Sequence, residues 1–404
     1  MMLTVEEALK AVLAHAAPLP PRAATLAEAL GCTLAEDVTA DIDLPPFAKA
    51  LMDGYAVRAS DLAGADRRLA VGEEITAGMT PTRPIGPREA ASIMTGAPIP
   101  DGADAVVMVE RTRREGDSVL IDDPGVTAGR SVMPRGREMR AGEVVVARGE
   151  VLNAARLGVL ASVGRAGVAV VPRPRVAVVS TGDELVNPDR FPGPGQIRNS
   201  NATMLRALAT QAGAEAETFP IAPDEPVGLR AALARGLSAD VLLVTGGVSA
   251  GNRDLVPGVL AALGVERVFH KVRLKPGKPL WFGVGPARDG GLPGPLVFGL
   301  PGNPVSGFVG FVLFARPALD ALAARPGRPD HPVAARLATR FEHTGDRPTY
   351  HPARRRGDGS VEPLDGWAGS ADLRTVARSD GFAVFPAGDR AYEPGEIVRF
   401  VPLG

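Results

Sequence analysis

The stretch Val241-Leu-Leu-Val-Thr-Gly-Gly-Val-Ser-Ala-Gly-Asn-Arg-Asp254 decides how this chain is read. It opens as a buried strand, four apolar residues in a row. It then breaks into glycines, a hydroxyl and an acid. A strand that ends in a glycine-rich polar loop is where open α/β sheets bind phosphorylated ligands. Glycine lets backbone N–H groups approach an oxyanion that any Cβ would hold off. Gly246, Gly247 and Ser249 are therefore candidate ligand-binding residues. Asp254 sits beside them, where an anion should bind.

Working outward, the pattern repeats. Arg175 to Ser180 reads as a strand running into Thr181-Gly-Asp-Glu184, and Leu296 to Leu300 as a strand running into Pro301-Gly-Asn-Pro304. Helices are expected at 201–212, 226–236, 257–263 and from Val305 onward. The alternation that begins at Pro172 predicts a doubly wound α/β domain, with all three polar turns on one carboxyl edge. Before it, Thr4 and Glu7 form a capping box for a helix over Thr4 to Ala16. Thr25 and Glu28 suggest a second box and a short helix ending at Gly31. Residues 55–150 read as short strands, with a helix at Ala154 to Ser162. After about residue 326 short strands return, as in a small β-barrel or sandwich.

The bulk numbers exclude several classes. The chain has 404 residues, which implies two to four domains. Lys+Arg is 45 and Asp+Glu is 46, so no global field draws it to nucleic acid or an anionic membrane. One cysteine, Cys32, excludes a disulfide framework or a cysteine zinc site. The acidic start is not that of a signal peptide. The longest apolar run, Val305 to Ala315, is interrupted by Arg316-Pro317 and falls short of a membrane span. A cytoplasmic enzyme or binding protein is expected.

Lysine usage gives the second clue. Lysine occurs only at positions 10, 49, 271, 275 and 278; arginine carries nearly all the other positive charge. Lys275-Pro-Gly-Lys278-Pro is a stiff turn presenting two ammonium groups, which suits an oxyanion. Glu184, Asp224 and Asp254 would repel a bare pyrophosphate on the same edge. They become compatible with it if Mg²⁺ bridges them, since Mg²⁺ is held by one or two carboxylates plus substrate phosphates. Asp224 serves equally well as the cap of the helix from Pro226. In Met52-Asp-Gly-Tyr-Ala-Val57 the local reading is an Asp-Gly hairpin turn before a strand. Thr95, within Ile93 to Pro98, is unexceptional alone. Arg354-Arg-Arg356 reads as a solvated face, and the five histidines lack metal-ligand spacing.

Taken in order, the motifs around Pro45-Pro46-Phe47, Asp53, Thr95-Gly-Ala-Pro-Ile-Pro100, Gly102 to Val107, Ser180 to Leu185, Thr245 to Ser249, Lys275 to Pro279 and Leu300 to Ser306 resemble the molybdopterin molybdenumtransferase family. This is the MoeA type, seen also as the E domain of gephyrin. The resemblance covers essentially the whole chain. It implies an α/β plus β fold: a doubly wound, MogA-like molybdopterin-binding domain at 172–325, a small all-β domain at 51–139, an elongated N-terminal and dimerisation domain from 1–50 with 140–171, and a C-terminal β-barrel at 326–404. It implies a homodimer with an intersubunit active site, in which adenylylated molybdopterin and molybdate give molybdenum cofactor and AMP with Mg²⁺ present. A molybdopterin adenylyltransferase would be the upstream partner. By motif position Asp53, Glu138, Glu184, Asp224 and Asp254 are the functional acids, with Glu184, Asp224 and Asp254 as metal ligands. Thr95, Lys275, Lys278, Pro301, Pro304, Ser306 and Ser370 are the further substrate-binding positions.

The chain departs from the family pattern in places. Glu138 stands where an aspartate is usual, one methylene further out. Asn199-Ser200-Asn201 replaces Asp-Ser-Asn. Pro352 occupies the slot of an arginine that helps hold molybdate, so Arg347 or Arg354 would have to replace it. Two other readings are compatible with these residues: a non-catalytic pterin- or nucleotide-binding scaffold dimer, and a tungstate-inserting homologue.

Overall fold

The computed structural model describes residues 2–248, 255–326 and 332–403, so Ser249 and Asp254 lie outside the described residues. The chain divides into two compact units. One comprises residues 1–35, 149–152 and 169–404; the other comprises 36–148 and 153–168.

The first unit is built on a six-stranded sheet in the order Glu215–Thr218, Arg175–Ser180, Val241–Thr245, Leu296–Leu300, Trp281–Val284, Glu266–His270. The first four strands are parallel, and the last two add an antiparallel edge that the sequence pattern did not reveal. Val176 to Val179, Val241 to Val244 and Leu296 to Phe298 are buried on both faces. This is why they read as unbroken apolar runs and not as alternations. Register aligns the strand ends: Ser180 pairs with Thr245, and Thr245 with Leu300. The three polar turns therefore leave the sheet side by side, as expected.

The helices begin where their caps place them. Asn199 accepts from Ala202 N at 3.1 Å and opens Ser200–Gln211. The helix Pro226–Gly236 is capped by Glu225, which takes Val227 N at 2.9 Å. The cap role considered for Asp224 thus belongs to its neighbour. Thr4 and Glu7 make the reciprocal capping box of Val5–Leu13, shorter at both ends than expected. Thr25 and Glu28 do bond, at 2.9 and 3.0 Å, but Thr25 closes the strand Arg22–Thr25 and the pair fixes a turn; the short helix is absent.

Arg316-Pro317 does not end the apolar run. Pro304–Gly310, a π turn at Phe311–Ala315 and Arg316–Leu322 form one helical rod of 19 residues. The wider turn just before Pro317 re-routes the carbonyls that a proline cannot satisfy. By length and composition this rod could cross a membrane, with mean hydropathy 1.5, yet 78% of it is buried inside the protein. It is the central core helix of the unit, packed with Val241, Phe282, Phe298 and Leu300. Residues 333–402 add a five-stranded antiparallel sheet with a core that includes Phe385 and Phe400.

The second unit carries a six-stranded sheet in the order Ala105–Met108, Gly54–Val57, Glu89–Ile93, Arg68–Ile75, Ser118–Ile121, Thr112–Glu115. The helix Ala154–Ser162 lies where expected, capped by Asn153 on Arg156 N at 2.9 Å. Asp53-Gly54 is not a hairpin turn. The Lys49–Ala50 strand pairs with Val132–Met133, whereas Gly54–Val57 pairs with Ala105–Met108 and Glu89–Ile93. Gly54 is required by close approach instead: a Cβ there would stand 1.9 Å from Val107 O.

Candidate active site

At the carboxyl edge of the parallel sheet lies a cavity of about 400 Å³, lined by Thr181, Glu184, Asn201, Thr245 to Val248 and Pro301 to Asn303, with Leu185, Ile197 and Pro279. Gly246 and Gly247 form its floor. Both have positive φ, +92° and +59°, and a Cβ on Gly246 would stand 2.4 Å from Thr181 O. Only glycine fits this turn, so the sequence reading of a backbone cradle has a steric basis here.

Asn201 and Thr245 brace the two halves of the cavity. Asn201 Nδ2 donates to Thr245 Oγ1 at 2.9 Å and to Gly302 O at 2.7 Å, tying the helix 200–211 to two strand ends. Asp224 is gathered to the same edge: the Thr181 hydroxyl donates to its carboxylate, and its own N–H donates to Asp183 Oδ1 at 3.1 Å. Glu184 and Asp224 are both exposed carboxylates at this edge. No group of three His, Cys, Asp or Glu placed to hold a metal occurs among the described residues. The two carboxylates at this edge are all-oxygen donors of the kind Mg²⁺ takes, its remaining ligands coming from phosphate and water.

A second cluster in the same unit gathers the lysine turn. Lys275 N donates to Pro348 O and Tyr350 N to Lys275 O, at 2.9 and 2.8 Å. Gly277, at φ +114°, leaves its missing Cβ 3.5 Å from Ser306 O, so the turn lies against the first turn of the core helix. Ser370 closes the other side, with its carbonyl accepting from Val305 N at 3.0 Å and its hydroxyl from Asn303 Nδ2 at 3.0 Å. Lys275, Lys278, Pro304, Ser306 and Ser370 are thus brought together, with Pro301 joining this cluster to the cavity. Two exposed lysines in a turn packed against the first turn of this helix favour an anion.

Arg347 belongs to this cluster and Arg354 does not. Arg347 Nη1 donates to Leu274 O at 3.1 Å, one residue before Lys275. Arg354 turns to Arg378 O, at 3.4 Å from both Nε and Nη2. The Arg347 guanidinium, with a smaller contribution from Lys278, holds the Asp346 carboxyl below the usual carboxylate range. Burial lowers the His343 imidazole, and the charge of Lys275 acts in the same direction.

Asp53, Thr95 and Glu138 lie in the second unit. Asp53 Oδ1 accepts from Thr95 Oγ1 and Thr95 N, both at 2.6 Å, and these bonds hold the Asp53 carboxyl below its ordinary range. Thr95 therefore spends both its donors on Asp53. Glu138 is paired: its Oε1 lies 3.1 Å from Lys49 Nζ. Sequence reasoning gave no role to Thr181, Asn303 or Lys49. The first two are short polar residues at strand or helix ends, a signal too common to single them out.

Three family models match the chain: the MoeA N-terminal region over residues 3–164, the probable molybdopterin binding domain over 177–321 and the MoeA C-terminal region over 334–403. The chain is 32% identical to a molybdopterin molybdenumtransferase of Staphylococcus aureus, over 99% of this chain and 95% of that one. It is 36% identical to that of a Nostoc species, over 92% and 86%. A crystal structure of the molybdopterin biosynthesis MoeA protein from Pyrococcus horikoshii superposes over the full length of both chains, with a TM-score of 0.79 and 32% identity. With matches that run from end to end, this chain belongs to the molybdopterin molybdenumtransferase family of the MoeA type.

Proposed function

We propose that this chain inserts molybdate into adenylylated molybdopterin, releasing AMP, in a Mg²⁺-dependent step of molybdenum cofactor biosynthesis in the cytoplasm. The observation that carries this reading is the pairing, within one unit, of a glycine-floored cavity bearing Glu184 with a lysine and serine cluster at the amino end of a buried helix. Gly246 and Gly247 receive the pyrophosphate, and Glu184 and Asp224 are the residues that would hold Mg²⁺. When bound, the cation supplies charge stabilisation at the pyrophosphate. Lys275, Lys278, Ser306 and Ser370 hold molybdate, with Arg347 in place of the arginine usual at position 352. Asp53 is supplied by a second copy of the chain in a homodimer. The upstream partner is the adenylyltransferase that makes the substrate. The four-segment domain division read from the sequence is part of the same proposal.

AMP release on adding molybdate to the protein with adenylylated molybdopterin and Mg²⁺ tests it. Molybdate-dependent AMP is the expected result. No AMP at any Mg²⁺ concentration would leave a non-catalytic scaffold. Parallel titration with tungstate identifies the preferred oxyanion.

A further inference from the structure

Lys49 stands apart from the other lysines. Three of them fall within residues 271–278 and one lies on the first helix; elsewhere this chain uses arginine. Its backbone is fixed on both sides. It pairs with Met133 on one edge and bridges Pro98 on the other. Ala50 takes Gly96 N and gives its N–H to Ala97 O, at 2.8 and 2.9 Å. This network ties Lys49 to the loop whose Thr95 holds Asp53. Glu138 is fixed in turn, its N–H on Leu44 O at 2.8 Å.

The ion pair itself is partly exposed, with side chains 28% and 46% accessible, and such a pair contributes little to stability. Its geometry suits presentation instead. One carboxylate oxygen engages Lys49 Nζ, and an ammonium group has three protons, so it retains donors for a ligand. The contact with Glu138 restricts the long side chain, which lowers the entropy cost of binding. Asp53 and Glu138 together would repel a polyanion, and Lys49 offsets part of that repulsion.

We propose that Lys49 is an anion-binding residue of the second unit, held in position by Glu138, that contacts a phosphate oxygen of the substrate. Glu138 then acts through Lys49 and not as a catalytic acid. This inference rests on the reading above in assuming that the Asp53 region meets the substrate.

Steady-state kinetics of full-length Lys49→Gln with adenylylated molybdopterin test it. The expected result is a roughly tenfold or greater fall in kcat/KM, carried by KM, with a weaker dependence on salt. Thermal midpoints should stay within about 3 °C of the parent protein. Glu138→Ala should cost activity in the parent background and nothing further in Lys49→Gln, since its effect passes through the lysine. A parent-like KM in Lys49→Gln overturns the inference. If Asp53→Ala is also parent-like, the reading of the Asp53 region fails with it; if Asp53→Ala is inactive, the Lys49 inference fails alone.

Discussion

Thr95 gives both its hydroxyl and its N–H to one oxygen of Asp53, each at 2.6 Å. A carboxylate that accepts two such bonds stays ionised to lower pH, because protonation forfeits them. Thr95→Val removes one bond. The Asp53 carboxyl then rises toward 3.8, and the acid limb of the rate profile moves to higher pH. Thr95→Ser should restore the parent profile. A pH–rate comparison of the three proteins checks this; identical acid limbs would refute the positioning role.

Arg347 and Arg354 make a paired prediction. Arg347→Gln removes a guanidinium beside the lysine turn and should raise the KM for molybdate about tenfold. Arg354→Gln, on the Arg378 carbonyl, should leave it unchanged. Initial rates against molybdate concentration separate the two.

Stability should fall on mild acidification. Burial pulls the His351 and His343 imidazoles below 6.5. The unfolded chain therefore binds more protons than the native one as pH drops through 6.5, and native stability is lost from there down to the lowered native values. His351 Nε2 also donates to Leu364 O, 2.9 Å away, a bond that glutamine can keep without titrating. Denaturant midpoints at pH 7.5, 6.5 and 5.5 should show a shallower decline in His351→Gln than in the parent.

Gly54→Ala should destabilise the second unit by about 3 kcal/mol, or prevent its folding. The new methyl would meet Val107 O at 1.9 Å across paired strands, with no side chain able to yield. Gly64→Ala, where a Cβ meets nothing within 4 Å and φ is not positive, is the control without a clash. Thermal melts of both variants make the comparison.

Three of the four parallel strands were legible because burial on both faces leaves an unbroken apolar signature; the edge strand Glu215–Thr218, mostly exposed, was not, and the helix at 226–236 was legible because Pro226 sits at its start. The antiparallel edge at 266–284 was not, since its residues carry no period distinct from the neighbouring loops. The Asp53-Gly54 dipeptide misled for a physical reason: the same glycine signals a turn by conformational freedom and a strand by lack of a side chain. Arg316-Pro317 misled because a π turn absorbed the break. For the site, residue types marked the lysine turn and the glycine cradle. The pairing of Glu138 with Lys49, 89 positions apart, required the fold.

The strands at Thr33–Leu34 and Gly167–Val171 pair directly, with Leu34 opposite Val170, and Val151 bridges Thr33. Everything between Glu36 and Arg148 therefore belongs to a loop, in the topological sense, of one small sheet. On the ribosome that sheet cannot close until residue 171 has emerged, long after the strands of the second unit are complete. The inserted unit is free to fold first, while the first 35 residues wait for a partner not yet synthesised. Vectorial synthesis thus favours a folded insert flanked by an open frame, and a nascent chain whose emerged part ends just short of position 169 should yield a protease-resistant fragment beginning near residue 36.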